Sequence, residues 1–256
     1  MTFKGSPSNV AEDNYRVGSH GLTDRDPEAR ANNNLEGEMR IADTNPGAIT
    51  GVWATANTRD AIWDSMLAKE TFATSGPRIQ VRAFAGQGYE PAYDSYEALV
   101  KDGYSKGVPM GGNYNGTQAP QILVWAAKDP DGPNLDRIQI IKGWLEDGEM
   151  MDTVYNAVAS GDRLHDDGSV EPIEAPVDLE TGQFNTDKGS PVLSGTWTDP
   201  DFDPAQEAYY YVRVLQLPTA RWSRYDEIRY GVQYPDDVKR EIVERAWGSP
   251  IWYEVI

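Results

Sequence analysis

The sequence predicts a mainly β fold with some α: a β-sandwich-like module preceded by an irregular segment and one helix. Three observations point there. Twenty-four glycines and 17 prolines in 256 residues imply frequent turns. Short apolar stretches with strand-forming residues recur after residue 78, separated by Gly, Pro, Asp and Asn. Eight Trp and 14 Tyr supply large surfaces for a core, although only 39% of the residues are apolar.

Residues 1–57 are polar and closely punctuated by Gly5, Pro7, Gly18, Gly21, Pro27, Pro46 and Gly51, so they bury little by themselves and should lie over another surface. A helix fits residues 59–70, capped by Asn57 or Thr58, with Asp60 favourable in its first turn. Ile62 and Met66 stand four apart, as do Trp63 and Leu67, which makes one apolar stripe. Gly76-Pro77 stops any continuation.

From Arg78 the period becomes two, and Ile79, Val81, Ala83 and Ala85 read as one face of a half-buried strand. A short helix fits Ser95–Asp102, followed by a turn over 108–112. Residues 121–127 and 137–144 flank a Pro/Gly/Asp loop and read as an antiparallel pair. Further strands are expected over 151–159, 192–198, 207–216 and 250–256, with a loop over 160–176 and a short helix over 236–246. The natural division is 1–77, irregular segment plus helix, and 78–256, the β-sandwich-like domain.

Net charge is −18, which repels a nucleic-acid duplex or an anionic membrane, and no basic run offsets it. With no cysteine, disulfides, thiolate catalysis and Cys-ligated metals are excluded. No apolar run reaches membrane-spanning length and the first residues lack a signal-peptide core, so a soluble protein, cytoplasmic or periplasmic, is expected.

The order of TRDAIWDSMLAKETFATSGPRI, GVPMGG, LVWAAKDPDGPNLDRIQIIKGW, WTDPDFDPAQEAYYYVRVLQ and ERAWGSPIWYEV resembles the C-terminal region of the bacterial domain-of-unknown-function family numbered 3604. That resemblance implies kinship with PHP-like metal-dependent hydrolases, whose N-terminal half is a distorted βα barrel carrying His-x-His, Asp, Glu and Asp-x-His ligands. Here Phe3 stands where a ligand His is expected, Ser19 where a second His often occurs, and the earlier ligands have no counterpart. The expectation is a chain without the metal-binding part.

His20 and His165 are the only histidines, and neither lies in a metal-ligating arrangement. His20 reads either as a substrate-facing group at the edge of the family's pocket or as a solvated loop imidazole, and Arg78 as a second substrate-facing candidate that would pair with an anion if it faces that pocket. Asp129, Asp131, Asn134 and Asp136 surround Gly132 and could wrap Ca, yet the same residues are what a tight turn demands. Asp199, Asp201 and Asp203 read the same way. Trp125, Trp144, Trp197, Trp222, Trp247 and Trp252 accompany strands, so core packing is preferred to a sugar-binding platform.

The function expected is therefore a non-catalytic structural or interaction module of a PHP-like hydrolase family. Two alternatives stand beside it: a subunit of a split hydrolase, and a sugar- or Ca-dependent binding sandwich. A homo-oligomer, or a partner chain carrying the metal barrel, follows from the apolar helix stripe, which would otherwise be uncovered.

Overall fold

A computed structural model describes residues 2–4, 26–34, 40–43, 48–174 and 177–255. Among the described residues the first elements are β1 (Thr2–Lys4) and α1 (Pro27–Asn32), where a proline opens the helix and the Asp26 carboxylate accepts from the Glu28 N–H at 3.1 Å. A 3-10 turn (Ile41–Asp43) precedes β2 (Ile49–Val52). α2 (Arg59–Leu67) starts on Thr58, whose hydroxyl accepts from the Ala61 N–H at 3.3 Å.

α2 stops short of the residue 70 that the sequence suggested. The Glu70 N–H bonds back to the Ser65 carbonyl and the Lys69 N–H to that of Met66, with Lys69 left-handed at φ 59°. This is a Schellman ending, and β3 (Thr71–Thr74) follows at once. β2 and β3 therefore come from the stretch read as irregular segment and helix.

Next come β4 (Gln80–Gly86), α3 (Tyr96–Lys106), capped by the Ser95 hydroxyl on the Ala98 N–H, β5 (Gly107–Pro109), β6 (Asn113–Tyr114) and β7 (Gln121–Ala127). The long hairpin of β8 (Leu135–Glu146) and β9 (Glu149–Ala159) turns on Asp147-Gly148. After a long connection follow β10 (Val192–Thr198), β11 (Ala208–Gln216), β12 (Thr219–Ala220), α4 (Trp222–Tyr230), β13 (Glu241–Ile242), β14 (Arg245–Gly248) and β15 (Ile251–Tyr253).

Two sheets pack face to face. In the larger, β11 is the hub: β8 pairs along one side, with β9 beyond it, and β14 and β15 share the other, leading on to β3, β2 and β1 or to β6. The smaller sheet runs β10-β7-β4-β5. Val81, Ala83, Ala85, Ile122, Val124 and Ala126 from the small sheet meet Ile138, Ile140, Tyr210, Val212, Val214 and Ile251 from the large one in a single core. The fold is mainly β and sandwich-like, as the strand pattern predicts.

Several local expectations are corrected. β7 and β8 are not a pair: β7 lies between β4 and β10, β8 between β11 and β9, and residues 128–134 carry the chain from one sheet to the other. β4 is buried on both faces, because α3 covers its outer side through a cluster of Phe84, Tyr89, Leu99 and Leu123. Residues 236–246 form no helix. A turn closes from Val238 N–H to the Pro235 carbonyl, and β13 and β14 then pair with β12 and β11. The helix is α4 instead, ended by left-handed Gly231 at φ 71°. α1 and α4 enclose a second core of Ala31, Ile41, Ala42, Trp222, Val232, Tyr234 and Val238, inside which Arg30 meets Asp226 at 2.7 Å. Among the described residues, no helix is long and apolar enough to cross a membrane.

Candidate functional site

His20 lies outside the described residues. The Arg78 guanidinium is half exposed and engaged by carboxylates. Immediately before β4 the residue turns to the loop after β7, where its backbone N–H donates to the Asp129 carboxylate at 2.6 Å and its guanidinium pairs with Asp129 at 3.1 Å and with Asp131. Burial pushes the Asp129 carboxyl up, but the N–H groups of Arg78 and Asp131 and the guanidinium outweigh it and hold the group below the ordinary aspartate range.

The four candidate Ca ligands are divided among three sets of partners. Asp129 and Asp131 take Arg78, Asn134 donates to the Thr186 and Lys188 carbonyls at 2.9 Å, and Asp136 pairs with Arg163 and Arg137. The loop carbonyls of Asp129, Pro130 and Gly132 accept from the Lys128 ammonium at 2.9, 3.1 and 2.7 Å. Among the described residues, no group of three or more His, Asp or Glu side chains converges as metal ligands would.

Besides the Arg30–Asp226 pair, two further buried ionic centres carry no motif in the sequence. In the first, Lys142 on β8 meets the Asp199 carboxylate at 2.7 Å and the Asp201 carbonyl at 2.7 Å, while the Tyr210 hydroxyl donates to Asp199 at 2.7 Å. Asp199 and Asp201 thus tie the loop before β11 down on the large sheet. Position gave a hint: Lys142 falls on the inward register of β8 with Ile138 and Ile140.

The second centre is Arg82, on the outer side of β4. Its guanidinium donates to Glu70 at 2.9 Å, to the Tyr96 hydroxyl at 2.9 Å and to the Tyr104 hydroxyl at 2.5 Å, and it lies 4.5 Å from the Trp53 ring centroid. Trp53 in turn donates from Nε1 to the Val81 carbonyl at 2.9 Å, and Tyr96 packs on Trp125 at 4.5 Å. Burial, with the Glu70 carboxylate beside it, pushes the Tyr104 phenol up to about 12. The centre joins both helical ends of this face, since Tyr96 and Tyr104 belong to α3 and Glu70 directly follows α2.

What this anchor holds up is α2, a helix that buries none of its own residues. Trp63, Met66 and Leu67 are 58%, 48% and 62% exposed. Nine residues make a helix too short to persist in water on propensity alone, so its ends do the holding: the Thr58 cap, the Schellman stop and Glu70 on Arg82. The apolar stripe is exposed among the described residues. Contiguous exposed apolar side chains of this kind are uncommon on a protein surface.

Residues 2–255 match a family model described as a protein of unknown function, DUF3604. No curated protein matches the chain, and no solved structure does.

Proposed function

The chain belongs to the DUF3604 family, and from that premise we propose that it is a non-catalytic structural and interaction module of a PHP-like hydrolase system. In this reading α2 is the contact: Trp63, Met66 and Leu67 seat against a metal-binding domain supplied by the same polypeptide or by another. The observation that carries the reading is a helix with no buried residue, pinned at both ends and apolar on its open side.

The test is an assay of the purified chain with Mn²⁺, Zn²⁺ or Fe²⁺ against panels of phosphate and sulfate esters. No turnover above the metal-only background is expected. Turnover that disappears in His20→Ala would overturn the reading.

One observation favours a second reading, a saccharide-binding sandwich. Trp252 is 42% exposed, with its ring 5.5 Å from that of Tyr209, which lies over Gly143 on the outer face of the large sheet. Tyr211 follows, 6.3 Å from Tyr209. Calorimetric titration with neutral and acidic oligosaccharides decides: heat lost in Trp252→Ala supports this reading, and silence removes it.

A further inference from the structure

β9 is an edge. Among the described residues it pairs only with β8. The hairpin turn has Asp147 at φ 51° and Gly148 at φ 84°, as a type I′ turn requires. In that geometry the flanking residues Glu146 and Glu149 exchange hydrogen bonds. The groups left pointing away from β8 are then the N–H and C=O of Met150, Asp152 and Val154. The same three side chains stand on the outer face of the sheet, where Met150 is 71% and Val154 43% exposed, opposite Leu145 and Ile141 of β8.

Edge strands are ordinarily blunted by lysine, proline or brevity. β9 has none of these: it is 11 residues long, holds neither Lys nor Pro, and is uncharged from Thr153 to Ala159. The ladder shifts register only at Ile138/Gln139, opposite the far end of β9. The open stretch, 150–156, is thus straight, β-prone and nearly neutral on a chain of net charge −18.

We propose that this edge docks a second copy of the chain, β9 pairing antiparallel with β9 about a two-fold axis at Val154. Charge selects the register. With the axis at Val154, Asp152 lies opposite Asn156 of the second copy, whose amide is held by Gln139 and the Gly168 carbonyl of its own chain, and no β9 carboxylate lies opposite another. An axis at Asp152 would oppose the two aspartates, and one at Thr153 would set them diagonally side by side. An axis between residues would match outer-face side chains with inner-face ones. One patch pairing with itself closes at two copies, and Val154 meets Val154 at the centre with Ile141 behind it. The overall charge opposes association at long range, so the dimer tightens as salt shortens the Debye length. This proposal does not rest on the α2 reading; α2 joins β2 to β3, toward the other end of the sheet order.

Sedimentation velocity over a dilution series tests it, at low and at high NaCl. The expected result is a monomer–dimer equilibrium that shifts toward dimer with salt. Val154→Lys, which sets lysine against lysine across the axis, should weaken the dimer at least about tenfold, roughly 1.4 kcal/mol. Val154→Pro removes the outward N–H while sparing the ladder to β8, and should also dissociate it. Circular dichroism confirms that each variant is folded; if the proline variant is not, the lysine variant decides. A monomer at every concentration overturns the proposal. So does a dimer unaffected by Val154→Lys, or one lost in Leu67→Ser and kept in Val154→Lys.

Discussion

The guanidinium of Arg82 satisfies two tyrosine hydroxyls and one carboxylate and lies against an indole, largely out of water. Removing one partner of such a pair costs more than the pair itself contributes, because the other charge stays desolvated. Arg82→Met should therefore destabilise the chain by about 3 kcal/mol in urea denaturation. Glu70→Gln in that background should recover part of the loss, whereas additive losses would show that the two do not act together.

Asp129 makes a pH prediction. Its folded carboxyl is held below the ordinary aspartate range, so the ionised form contributes stability that is fully present above the unfolded value, about pH 4, and lost as pH falls through the lowered folded value. Asp129→Asn should cost about 2 kcal/mol at pH 7, with the gap from wild type closing toward pH 2, as measured by unfolding midpoints across pH.

At the level of elements, the end of α2 is the place to intervene. Lys69 occupies the left-handed position of the Schellman stop, where a side chain costs free energy that glycine avoids. Lys69→Gly should stabilise the chain by about 0.5–1 kcal/mol by chemical denaturation and leave metal-dependent assays and β9 pairing untouched.

The strands themselves were legible where local pattern and final environment agree: 192–198 and the Tyr-rich 208–216 stand where alternation and β-propensity put them. Pairing was not legible, because the loop between β7 and β8 has the composition of a hairpin while its two strands belong to different sheets. The 236–246 segment has a helix-like pattern, but open ladders on β12 and β11 capture it, a tertiary gain that propensity cannot register. For the candidate site, the α2 stripe was readable from four-residue spacing alone. Arg82 was not, and Lys142 only through its inward register on β8: which face of a strand is covered depends on α3 and on the loop at 199–203.

At the level of the whole molecule, β11 is the strand on which the large sheet converges, and it arrives late in the chain. Residues before about 165 supply β1 to β9 and residues after it supply β10 to β15, so both sheets draw strands from both halves. The connection over 160–191 between β9 and β10 runs through exposed Asp166 and Asp167. A cut there severs the polypeptide without separating the layers. Two fragments divided at Asp166 should each be insoluble when expressed alone, yet reconstitute a soluble, stoichiometric complex when co-expressed, held by the β8–β11 and β7–β10 ladders until denaturant parts them. Independent folding of either fragment by circular dichroism would count against this. Obligate complementation makes the chain a natural two-piece reporter, one whose signal requires both genes.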